Sequence, residues 1–101
     1  MPRKSKRKNF TFKTPKGAEY EVIFRKPDKR LKADGICANP KEQFPKIYVS
    51  PHLTKQSELN TVIHEFAHAF FWDKSETQVR KFANALSRFL YNDQHWRKVE
   101  K

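Results

Sequence analysis

The sequence predicts an α+β domain: a small antiparallel or mixed sheet of about four strands, packed on two consecutive helices. Two observations carry this. The hydrophobic period changes from two to about 3.6 residues near residue 52. Proline and glycine punctuate the part before that point, whereas no proline lies beyond Pro51. A length of 101 residues with 37% hydrophobic side chains leaves room for one domain.

The first strand is read from "NFTFK", where Phe10 and Phe12 alternate onto one face. The second is "YEVIFR", with Tyr20, Val22 and Phe24 on one face. Pro15 and Gly17 between them mark a tight hairpin turn. "KPDKRLK" reads as a polar loop, "DGICA" as a short third strand and "NPKEQFP" as a proline-flanked loop. "KIYVS" is the fourth strand, with Ile47 and Val49 on one side and Tyr48 on the other. Pro45 and Pro51 bracket it, which predicts an edge position.

The first helix has Thr54 or Ser57 as its N-cap. Leu59, Val62, Ile63, Phe66 and Phe70 form its buried stripe, and it fades near "WDKS". Ser75 precedes Gln78 by three residues, a capping box that starts the second helix. Its stripe is Val79, Phe82, Ala83, Leu86, Phe89 and Leu90. The tail then loses the period, with Trp96 expected to pack back on the domain.

Composition excludes several classes. No apolar run approaches the ~20 residues of a spanning helix, so a membrane protein is not expected. Aromatic side chains make up 14% of the chain, which argues against disorder. The one cysteine, Cys37, excludes multi-cysteine zinc fingers and an internal disulfide. No apolar segment follows the basic N-terminus, so the expected location is cytoplasmic. The formal net charge is +11, and five cations (Arg3, Lys4, Lys6, Arg7 and Lys8) fall in residues 1–8. These residues read as a disordered basic arm before a single domain at 9–101, and as candidate nucleic-acid contacts. Without the arm, 17 cations still face 11 anions.

The chemistry lies in "HEFAH", His64 to His68, an H-E-x-x-H pattern inside the first helix. Residues at i and i+4 stand one turn apart on one face, with Cβ atoms ~5–6 Å apart. Two imidazoles so placed can share one zinc ion. Glu65 is rotated roughly 100° from His64, where it can reach a water on the metal's open side. By composition alone the pattern would arise about once in a hundred such chains. The apolar stripe centres opposite the two histidines, so they are not core residues. Phe71 projects next to His64, which predicts a second element covering that face as well.

A catalytic zinc needs a third protein ligand. Glu76, Asp73, Asp93, His95 and His52 are the candidates. Glu76 is preferred, because a capped helix fixes it while the others lie on turns or a tail.

Residues 46–90 resemble the core of short zincin metallopeptidases, including small phage-encoded peptidases and the SprT-like and ImmA/IrrE-like groups. The shared pattern is a strand ending in a proline turn, the H-E-x-x-H helix, and a second helix with an acidic residue and an apolar "FA" stripe. The resemblance implies a minimal zincin-like domain with His64, His68 and Glu76 as Zn2+ ligands and Glu65 as catalytic base. It also implies that "KIYVS" borders the cleft and pairs with an extended substrate. Tyr48 and Tyr91 are the candidates for stabilising the transition state.

Three functions follow. The first is a zinc-dependent peptide hydrolase, and Glu65, useless to a purely structural metal, favours it. The second is a zinc-stabilised binding module for nucleic acid or an acidic protein, favoured by the small size and basic surface. The third, suggested by the SprT-like resemblance, is a protease acting on DNA-bound proteins.

Overall fold

The computed structural model describes residues 9–27 and 33–99. The basic segment 1–8 and most of the polar loop at 26–32 lie outside the described residues. Four strands and two helices follow one another: β1 (Phe10–Lys13), β2 (Glu19–Ile23), β3 (Gly35–Cys37), β4 (Lys46–Val49), α1 (Lys55–Phe70) and α2 (Glu76–Arg88). A π-helical turn, Phe89–Asp93, extends α2. The α+β architecture with a mixed sheet on two helices is as the sequence predicts. No helix among the described residues is long and apolar enough to cross a membrane.

The β1–β2 hairpin closes where Pro15 and Gly17 place it. Thr14 N–H donates to Ala18 O (2.8 Å), and Gly17 N–H donates to Thr14 O (2.9 Å). Gly17 adopts φ 95°, a left-handed value that costs a residue without a Cβ little. The alternation then acts as read. Phe12 stacks on Tyr20 at 5.6 Å and meets Phe66 of α1 at 5.1 Å, while Phe10 meets Phe24 at 6.1 Å. Tyr20, Val22, Ile47, Val49 and Ala69 form the buried core. Tyr20 is fully buried, and its hydroxyl donates to Ala38 O at 2.8 Å, so the ring enters the core without an orphaned polar atom.

The strand order is β1-β2-β4-β3, which corrects the edge position expected for β4. β4 runs parallel to β2 and antiparallel to β3, so both of its sides are paired. The prolines fail to demote it because neither occupies a ladder N–H position. Pro45 precedes the strand and gives its carbonyl to Glu21 N–H (3.2 Å), and Pro51 lies beyond Ser50. β3 is an edge strand instead.

Both helix starts are as read. Thr54 accepts from Ser57 N–H at 3.1 Å, and Ser75 and Gln78 complete a reciprocal capping box. The apolar stripes are less covered than the period predicts. Phe66 is 45% exposed, Phe70 38%, Phe82 47% and Phe89 48%. On α1 the cause is length: a 16-residue helix is about 24 Å long, whereas strands of three to five residues span roughly 10–17 Å, and α2 packs on α1 rather than on the sheet. The helix overruns the sheet, and small side chains such as Ala69, Val79 and Ala83 take the fully buried positions. Trp96 is anchored by its backbone, N–H to Leu90 O at 2.8 Å, yet its side chain stays 63% exposed. Lys98 ties the tail to buried Glu58 of α1 at 3.1 Å.

Candidate metal centre

Between α1, α2 and β3 lies an open cleft of about 490 Å³. The i, i+4 spacing on α1 sends His64 and His68 into it, and the turn at 71–75 brings the start of α2 back beside them. Glu76, the first residue of α2, meets both rings: one oxygen lies 3.0 Å from His64 Nε2 and the other 2.8 Å from His68 Nε2. The histidine side chains are only 16% and 17% exposed, with the carboxylate closing their solvent side. Partial burial alone would raise the Glu76 carboxyl. Hydrogen bonds from His68 and His64 and their charge outweigh it, holding the group below the ordinary carboxylate range.

One ligand atom from each of His64, His68 and Glu76 lies within 4.8 Å of the others. Ligands at ~2.0–2.2 Å from one ion at tetrahedral angles stand roughly 3.3 Å apart. The two histidine–carboxylate separations, 3.0 and 2.8 Å, lie a few tenths of an ångström below that value, and two imidazoles with one carboxylate are a donor set that suits zinc. The residues therefore fit a divalent metal. Asp73, Asp93, His95 and His52 do not join this cluster.

Glu65 projects from α1 between the cleft and the sheet. It is 6% exposed and makes no hydrogen bond or ion pair among the described residues; its carboxylate oxygens are not sealed off but open on the cleft. Burial, and then the charge of Glu76, pushes its carboxyl up to about 7. The covering group is the backbone of β3 at Gly35. A Cβ there would stand 3.0 Å from Glu65 Oε2 and 2.7 Å from Thr61 Cγ2. Glycine lets the edge strand lie on the acid. Cys37, on the same strand, lines the cleft as a neutral thiol, because burial pushes it up to about 12.

A second element does flank the histidine face, as expected: β3 and α2 line the cleft with His64 and His68, while Phe71 itself packs on Phe70 at 4.6 Å. One expectation is corrected here. Neither tyrosine reaches the cleft. Tyr48 receives a hydrogen bond from Arg25 at 3.4 Å, and Tyr91 stacks under Arg97 at 3.5 Å.

Residues that sequence reading overlooked also line the cleft: Gly35, Asn60, Trp72, Arg80 and Asn84. Most carry a readable signal, since Asn60 and Trp72 stand four residues from His64 and His68, and Arg80 and Asn84 four and eight from Glu76. Asn60 Nδ2 donates to Asn84 Oδ1 (2.8 Å) and Ser87 Oγ (3.0 Å), fastening α1 to α2 beside the histidines. Comparison of the chain with family models, curated proteins and solved structures finds no match.

Proposed function

We propose that this chain is a zinc-dependent peptide hydrolase, with His64, His68 and Glu76 holding the metal and Glu65 acting as general base. The observation that carries this reading is the position of Glu65. A structural metal site has no use for a carboxylate left unpaired at its edge and open to the same cleft, whereas hydrolysis does. A carboxyl near 7 is also a stronger base than an ordinary glutamate and can both take and return a proton at neutral pH.

Zinc, when bound, supplies a Lewis acid for the scissile carbonyl and acidifies the attacking water. The protein's own groups do the rest. Glu65 takes the water's proton as the new C–O bond forms. It then delivers that proton to the leaving nitrogen as the C–N bond breaks, releasing a carboxylate and an amine.

Edge strand β3 supports a peptide as the substrate. Asp34 O accepts from Ser50 N–H, and Ala38 N–H donates to Lys46 O, so residues 34, 36 and 38 direct their backbone groups toward β4. Gly35 and Cys37 then direct theirs outward, beside Glu65. An extended peptide can pair there by strand addition, the role the resemblance had given to β4.

The test is Glu65→Gln, measured by metal analysis and by cleavage of a peptide library. The variant is expected to keep its zinc and lose hydrolysis. Loss of zinc would make Glu65 a ligand, and cleavage at the wild-type rate would remove it as base; either result refutes the mechanism.

A further inference from the structure

The wall of the cleft formed by α2 presents hydrogen-bond donors. Arg80 follows Glu76 by one turn and lines the same cleft. Glu76 would be its natural i, i+4 partner, but both carboxylate oxygens are turned to the histidines. No ion pair or hydrogen bond occupies Arg80 among the described residues. One turn further, Asn84 spends its oxygen on Asn60, which leaves its NH2 group as the free end. A further turn on, Arg88 lines a polar groove that continues the cleft and shares Asp34, Asn60, Thr61 and Asn84 with it. Asp34, on the opposite wall, pairs with neither arginine.

An exposed, unpaired guanidinium one turn from the candidate metal centre, with its helical partner engaged elsewhere, suits a carboxylate brought by the ligand. The four-residue step from Glu76 to Arg80 rises about 6 Å along the helix axis, close to two residues of an extended chain at ~3.3 Å each. We infer that Arg80 is the specificity residue of this cleft, and that its substrates are peptides with a carboxylate within two residues of the scissile bond. This rests on reading the cleft as a peptide hydrolase site. The carboxylate is an Asp or Glu side chain, or the C-terminus of the peptide itself.

The test uses the full chain carrying Glu65→Gln, loaded with zinc, its metal content measured in each sample. Ala/Val hexapeptides with a single Glu or Gln moved along the sequence, each with a free or amidated C-terminus, are titrated by calorimetry. The acidic peptide at one position is expected to bind about tenfold more tightly than its neutral isostere. Preference for Glu over Gln identifies a side-chain carboxylate, and preference for free acid over amide identifies a C-terminus. Arg80→Ala should erase that preference at unchanged zinc content, Arg80→Lys should keep part of it, and Arg88→Ala should leave it intact. Equal affinities, a preference that survives Arg80→Ala, or no peptide binding by the zinc-loaded protein would overturn the assignment. Should zinc fail to bind, the hydrolase reading falls. The same peptides on the same protein then still decide Arg80, by the same ratio.

Discussion

Gly35→Ala is the most direct test of how the candidate base is held. Gly35 is not in a left-handed conformation, so alanine meets no backbone penalty there and only space is at issue. The new Cβ would stand 2.7 Å from Thr61 Cγ2, 3.0 Å from Glu65 Oε2 and 3.1 Å from Glu65 Cγ. All three lie inside normal contact distance, and the first cannot persist without movement. Both neighbours sit on helix α1, so β3 must lift or the side chains of both Thr61 and Glu65 must turn away. Overpacking of this kind costs roughly 1–3 kcal/mol, which for a domain of this size lowers Tm on the order of 5–20 °C. Zinc binding should be unchanged, because none of His64, His68 and Glu76 is among the atoms the methyl meets. Peptide cleavage should fall with the displacement of Glu65. Thr61→Ser removes the closest clashing atom, so the double variant should be more stable than the sum of the two single changes. Urea melts of the four proteins give that coupling. A Gly35→Ala protein within about 0.5 kcal/mol of wild type, the usual range of a neutral surface change, would refute the close approach of β3 to the acid. Strict additivity with Thr61→Ser would do the same.

Wild-type protein should carry about one zinc per chain, and His64→Ala or His68→Ala should abolish it by metal analysis. In zinc titrations Glu76→Ala should weaken binding at least as much as loss of a second-shell group, about 10–100-fold, while Asp73→Ala and His95→Ala should not. Ser75→Ala should cost about 1 kcal/mol in denaturant melts by removing the cap, and should loosen zinc modestly, because the cap fixes where Glu76 starts. At alkaline pH the protein should lose stability. Cys37 is raised from about 9 toward 12 in the folded state, so above pH 9 the unfolded chain binds fewer protons and stability falls until the folded thiol itself ionises. Cys37→Ala should flatten that limb in melts between pH 9 and 12, and an unchanged slope would contradict the burial of the thiol.

The fold was legible wherever a local signal was sufficient. The hairpin at Pro15 and Gly17, the caps at Thr54 and Ser75, and the paired faces of Phe12, Tyr20, Ile47 and Val49 are each set by a few neighbouring residues. Strand order is not local. The prolines around β4 suggested an edge, yet a proline weakens a central strand only where its missing N–H was needed, and both flank the ladder. Helix periodicity likewise says which residues share a face, not how much sheet exists to cover it. That is why Phe66 and Phe70 lie on the expected side of α1 and still reach solvent.

The candidate site divides along the same line. The convergence of His64 and His68 follows from the helix repeat, and the arrival of Glu76 from a short turn ending in a strong cap. The same repeat, extended by one turn, would have found Asn60, Trp72 and Arg80. What no repeat contains is the environment of Glu65. Its rotation of about 100° from His64 points it at whatever element happens to flank the helix, and that element is β3, some thirty residues earlier in the chain. Its raised proton affinity comes first from that burial, and the burial exists because residue 35 has no side chain. Without this contact the first cause of the raised carboxyl is lost and only the charge of Glu76 remains to raise it. On the proposed reading the motif supplies two metal ligands and the base, and a glycine on a three-residue edge strand gives that acid the contact that buries it.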